Sequence, residues 1–224
     1  MRLIRNFLVL SIFWMLFFGI FRIIFFLFLQ YNAANIQLNE LPSTLFYGIR
    51  LDISATAYIS ALPLLLMLIH ALTENTFIKK LFLVYNGIIL FVLILLHVSN
   101  LFLYRSWGVL INYRALSFLA DWRQMFLSVN NFELIVGIIC IILLFILTWF
   151  VFRKFTKHFF DNKLAIIQSL LQFIVSAAML VIMFRGGVQM LPVNESAAAF
   201  SENVTLNHIA TNPAWHLGHN LNQA

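Results

Sequence analysis

The sequence predicts an all-α membrane protein with five transmembrane helices. An interfacial amphipathic helix is expected between the third and fourth, and a short extracytoplasmic tail after the fifth. Three observations lead there. Of 224 residues, 62% are hydrophobic and 10% charged, where an ordinary soluble domain is nearer half apolar and a quarter charged. Five stretches reach the roughly 20 mostly apolar residues that cross about 30 Å of hydrocarbon. The basic residues also gather on one alternate set of connections, as they do in polytopic membrane proteins. This composition excludes a soluble enzyme with a water-facing shell and a disordered tail protein. A single cysteine, Cys140, excludes an intrachain disulfide scaffold. The net charge of +6, in so apolar a chain, points to anionic lipid and not to nucleic acid.

The first span covers about residues 7–29, with Arg22 as its one charge. Its apolar run is longer than the 7–15 residues of a signal peptide and no small-residue cleavage pattern follows, so it is read as a retained helix. The second span covers about 51–72, entered through the polar stretch Arg50, Asp52, Ser54 and Thr56, with Pro63 expected to kink it or ease packing. The remaining spans are about 81–103, 134–152 and 164–184. With the N-terminus in the cytoplasm, the inner segments 1–5, 74–80 and 153–163 hold eight Lys and Arg in 23 positions; the outer segments 31–45, 105–131 and 185–224 hold four in 82. That imbalance sets the orientation, and five spans starting inside end outside. Residues 1–186 are read as the transmembrane domain and 187–224 as the extracytoplasmic tail. No internal repeat of 20–50 residues is visible.

The polar residues inside this frame are the candidates for function. Arg22 and Asp52 lie at similar depth on neighbouring antiparallel spans, where an intramembrane charge is either paired, snorkelling or in contact with substrate; an ion pair is the working expectation. Arg50 and Asp52 point about 200° apart on a helix and cannot pair with each other. His97 and Asn100, three apart on one face, are read as interhelical hydrogen-bonding groups before a ligand site. The outer loop from Tyr104 to Asn131 interleaves Trp107, Tyr113, Phe118, Trp122 and Phe126 with Arg105, Arg114 and Arg123. Leu116, Leu119 and Trp122 recur there at helical spacing, which predicts a helix lying in the interface. Aromatics sit at headgroup depth and guanidinium groups clamp phosphate, so this loop is either an anchor belt or a recognition surface for anionic headgroups. His208, His216 and His219 in the tail fit no standard zinc spacing, and a structural role is expected of them. Two Asn-X-Ser/Thr sequons, at Asn194 and Asn203, matter only in a eukaryotic secretory pathway. No catalytic constellation, phosphate-binding loop or metal motif is found.

Several stretches together resemble the N-terminal membrane region of the lipoteichoic acid synthase family, sulfatase-like phosphoglycerol and phosphoethanolamine transferases of bacterial envelopes. They are Leu51-Asp52-Ile53-Ser54-Ala55-Thr56-Ala57-Tyr58, Tyr104-Arg105-Ser106-Trp107-Gly108, and Asn112-Tyr113-Arg114-Ala115-Leu116-Ser117. Further along come Phe184-Arg185-Gly186-Gly187-Val188-Gln189, Leu191-Pro192-Val193-Asn194, and Asn207-His208 through Asn212-Pro213-Ala214-Trp215. The likeness covers nearly the whole chain, and its specificity rests on the loop motifs. It implies a bacterial cytoplasmic (inner) membrane protein whose catalytic threonine and divalent metal, Mn or Mg, sit in a large domain after the fifth span. About forty residues past the membrane cannot build that domain, so no catalytic or metal-binding residue is carried over and the chain alone is expected to be inactive. The resemblance then makes it an anchor and lipid-presenting region, a fragment or truncated product. Arg105, Arg114 and Arg185, with Trp107 and Tyr113, would face a lipid headgroup or the missing catalytic domain. The competing expectation is a non-enzymatic scaffold or transporter-like subunit.

Overall fold

In the computed structural model, which describes residues 2–32, 36–118, 131–161, 165–189 and 191–221, the described residues form α-helices and short 3-10 turns, with no strand among them. The long helices are α1 (Arg2–Tyr31), α2 (Leu41–Thr73), α3 (Thr76–Trp107), α5 (Asn131–Thr156) and α6 (Ile166–Phe184). All five are long and apolar enough to cross a membrane. Between α3 and α5 lies the six-residue α4 (Tyr113–Phe118), and two short helices close the chain, α7 (Val204–Ala210) and α8 (Pro213–Leu221). The expected interfacial helix is therefore described only across Tyr113–Phe118; Leu119, Trp122, Arg123 and Phe126 lie outside the described residues.

The helix boundaries follow local chemistry more than the hydrophobic runs. Pro42, whose missing N–H costs nothing in a first turn, opens α2. That start is ten residues earlier than the apolar pattern alone suggests, so Arg50, Asp52, Ser54 and Thr56 lie inside a helix and not at its mouth. Asn75 caps α3 by accepting the Phe77 N–H at 2.8 Å. Gly108, at φ +69°, ends α3 in the left-handed conformation that a side chain resists, its N–H returning to the Tyr104 carbonyl. Pro63 sits within α2 and leaves the Ile59 carbonyl without its helical donor. The Tyr85 hydroxyl of α3 fills that vacancy, donating to the Ile59 oxygen at 3.1 Å.

α2 is the central helix, packed against α1, α3 and α6, while α5 leans on α3 and α1 at the periphery. An aromatic core of Phe13, Trp14, Phe17, Phe18 and Phe21 from α1 meets Phe82, Leu90 and Ile94 from α3 and Phe152 from α5. Phe13 meets Trp14 and Phe152 edge-on at 5.3 and 5.2 Å, while Phe82 stacks on Phe152.

The two ends of the bundle differ in charge. At one end the Leu3 N–H donates to Gln172 of α6, Asn6 donates to the Phe159 carbonyl, and Lys79 lies over the Phe160 ring. These contacts bring Arg2, Arg5, Lys79, Lys80, Arg153, Lys154 and Lys157 to a single basic end. The opposite end holds α4, α7 and α8. There the chain after α6 folds back: α7 and α8 pack on α2, and α8 also touches α3 and α4. The segment read as the tail thus packs against the bundle. Gly186, at φ +71°, makes the reversal possible, since a side chain there would stand 2.8 Å from Val193 and 3.0 Å from the Arg50 carbonyl.

Candidate functional site

Arg22 of α1 and Asp52 of α2 meet beneath the C-terminal segment, 5% and 2% exposed. Arg22 Nη1 donates to Asp52 Oδ2 at 2.5 Å and Nη2 to Oδ1 at 2.7 Å, a two-pronged pair. A buried pair is tolerable only when its remaining donors and acceptors are also met, and here the tail meets them. Arg22 Nε donates to the Ile209 carbonyl and Nη2 to the Ala210 carbonyl, both at 3.1 Å. Those are the last carbonyls of α7, which have no partner within the helix and carry its negative dipole end. Asp52 Oδ1 also accepts from Asn212 Nδ2 at 2.8 Å.

Asn212 works in two directions. Its Oδ1 accepts the Ala214 and Trp215 N–H groups at 3.0 and 3.1 Å, capping α8 ahead of Pro213. Its amide nitrogen meanwhile reaches the carboxylate. One residue thus starts α8 and fixes it to α2. A second tie lies close by: Trp215 Nε1 donates to Ser54 Oγ at 3.2 Å, and Ser54 Oγ to the Phe184 carbonyl at 2.9 Å. Gly48, one turn before Asp52, gives the guanidinium room, because a Cβ there would collide with Arg22 and with the Ala210 carbonyl.

Beside the pair is a cavity of about 10 Å³, the size of one water molecule, lined by Arg22, Asp52, His97, Asn100 and Asn212 among others. His97 stacks on Phe21 with ring centres 4.7 Å apart, and its Nε2 has no hydrogen-bond partner among the described residues. Asn100 does not bridge helices as expected. It accepts the Ile111 N–H at 3.0 Å and so fastens the connection that follows α3.

The tail histidines hold the segment together. His208 Nδ1 lies 2.9 Å from the Tyr104 hydroxyl, His216 Nδ1 2.5 Å from Glu195 Oε1, and His219 stacks on Trp215. Burial, then the nearby His216, holds the His208 imidazole below its ordinary 6.5, with Glu195 pulling the other way. Asn207 accepts the Phe200 and Ser201 N–H groups and returns its own N–H to the Ser201 carbonyl. No three His, Cys, Asp or Glu side chains gather to hold an ion among the described residues.

The other predicted residues stand around this end. Arg105 and Trp107 are exposed on the last turn of α3, Tyr113 and Arg114 are exposed on α4, and Arg185 is exposed just past α6. Arg50 is exposed on α2, facing away from Asp52. Of the site's members, sequence reasoning found Arg22 and Asp52 and missed Asn212 with the carbonyls of Ile209 and Ala210. An Asn followed by Pro is a legible helix start, but nothing local says that its amide nitrogen meets a carboxylate 160 residues away. Comparisons with protein-family models, with curated proteins and with solved structures return no match to this chain.

Proposed function

We propose that the chain is the membrane anchor and lipid-presenting part of a sulfatase-like envelope phosphotransferase, one that moves phosphoglycerol or phosphoethanolamine from a phospholipid. In this reading it lies in the bacterial cytoplasmic membrane with its N-terminus inside and α7 and α8 on the extracytoplasmic face. It contributes no catalytic residue. Its work is to hold the chain beyond the bundle at fixed height and to gather headgroups beside it.

One observation carries the reading. The motifs behind the family resemblance are scattered through the sequence, yet their residues contact one another at one end of the fold. Asp52 meets Asn212, Ser54 meets Trp215 and the Phe184 carbonyl, and Tyr104 meets His208. A freely hanging linker has no use for a buried ion pair under it, whereas an anchor that positions a neighbour does. Exposed Arg105, Arg114 and Arg185 on the same end supply cations suited to phosphate.

The test is headgroup binding by the full chain in phosphatidylcholine vesicles titrated with phosphatidylglycerol or phosphatidylethanolamine. Arg105→Ala/Arg114→Ala/Arg185→Ala should weaken binding to phosphatidylglycerol by about a hundredfold, from roughly 1 kcal/mol per cation near the anionic surface. Unchanged binding removes the lipid-presenting role. Phosphotransferase turnover by the isolated chain with Mn²⁺ or Mg²⁺ would contradict its assignment as a non-catalytic part.

A further inference from the structure

Toward the basic end, α3 and α5 border an open groove of about 410 Å³ lined by Leu83, Val84, Gly87, Ile88, Phe91, Phe145 and Trp149. Every lining residue is apolar. Gly87 lets the Trp149 ring seat closely against α3 in the groove's floor, since a Cβ there would come within 3.3 Å of that ring. Its α5 wall is aromatic and ordered, Phe145 stacking on Trp149 and meeting Phe91 edge-on at 5.9 Å. Its rim is open, with Val84 and Ile88 each 57% exposed.

Both walls end in a cation at the same end of the bundle. On α3, Lys80 shares the helical face of Val84, Gly87 and Phe91, one turn before the groove begins. On α5, Arg153 follows Trp149 by one turn and lays its guanidinium over that ring, 5.9 Å from the centre. Both side chains are exposed. The acidic groups described at this end are Glu74 and Asp161, and Asp161 is engaged by His158 at 2.6 Å. From Lys80 to Phe91 is eleven residues, about 16 Å at 1.5 Å per residue, close to the depth of one leaflet's hydrocarbon.

We propose that this groove is a binding site for one anionic phospholipid of the leaflet at the basic end. An acyl chain lies along Val84, Gly87 and Trp149, and the phosphate is held between Lys80 and Arg153. Charge complementarity at the mouth of a leaflet-deep apolar trough selects this occupant. It does not depend on the function proposed above, which concerns the opposite end, and the two fail separately.

Trp149 reports on the site directly. The full chain is placed in vesicles of phosphatidylcholine and phosphatidylglycerol in which one or the other lipid carries brominated acyl chains. Quenching assigned to Trp149 is the difference from Trp149→Phe. At equal mole fraction, brominated phosphatidylglycerol should act with an apparent affinity roughly 25-fold above brominated phosphatidylcholine, about fivefold for each cation. Lys80→Gln/Arg153→Gln, both exposed positions, should bring the ratio toward one. Val84→Phe, which fills the trough from its open rim, should lower quenching by both lipids. Equal quenching by the two lipids in the native chain overturns the proposal, as does a preference that survives in the double variant or quenching unchanged by Val84→Phe.

Discussion

Removing both members of the Arg22–Asp52 pair should cost the protein little more than removing either one. Asp52→Ala leaves a guanidinium that is 5% exposed with only main-chain carbonyls, and it leaves Asn212 Nδ2 without its acceptor. Arg22→Ala leaves a carboxylate that is 2% exposed with Asn212 alone, and it strips the ends of α7 of their cation. Stranding a buried charge costs about 3–5 kcal/mol, so each single variant should lose about 4 kcal/mol. In Arg22→Ala/Asp52→Ala no charge is stranded. What remains is the cavity and the unmet Ile209 and Ala210 carbonyls, about 1–3 kcal/mol for each buried acceptor left unpaired. The double variant should therefore lose about 4–5 kcal/mol, a coupling of about 3 kcal/mol or more. The assay is denaturant unfolding of all four proteins in mixed micelles, followed by tryptophan fluorescence, to which Trp215 at the junction contributes. Losses that add to within about 0.5 kcal/mol, as for independent sites, would refute the pairing argument.

Three further outcomes follow from the same contacts. Gly48→Ala should cost about 1–3 kcal/mol by forcing a methyl group against Arg22 and the Ala210 carbonyl, and limited proteolysis should find α7 and α8 more readily cut. Tyr85→Phe should cost about 1–3 kcal/mol in the same unfolding assay by leaving the Ile59 carbonyl unpaired. Adding Pro63→Ala should restore part of that loss, because Ala brings back the N–H the helix lacks. The tail should also loosen in acid. Folding lowers the His208 pKa below 6.5, so below that value the released tail binds more protons than the docked one, and stability falls as pH drops from about 6.5 toward the lowered pKa. Protease sensitivity of α7 and α8 measured from pH 7.5 to 5 should rise through that window and rise less in His208→Phe.

The five spans were legible in the sequence because hydrophobic length is a local property, and the gathering of the basic residues at one end follows from the alternation of antiparallel helices. The helix ends were less so. α2 reaches back to Leu41 because Pro42 begins it and because its polar face is covered by Arg22 and the tail; a reading by hydropathy stops at the first run of polar residues. Arg22 and Asp52 could be matched by depth alone. Asn212, Trp215 and the α7 carbonyls could not, since their partners lie more than 150 residues away in sequence. The histidines gave no zinc spacing and the structure puts them in hydrogen bonds and stacking, while Tyr85 as the partner for the carbonyl freed by Pro63 had no signal beyond the proline itself.

Hydrogen exchange of the full chain in a lipid bilayer tests the account most directly. If α7 and α8 are docked through Arg22, Asp52 and Asn212, the amides of Ile209, Ala210, Thr211, Ala214 and Trp215 should exchange slowly in the native protein and quickly in Asp52→Ala. Fast exchange of those amides in the native protein, or protection untouched by Asp52→Ala, would contradict it.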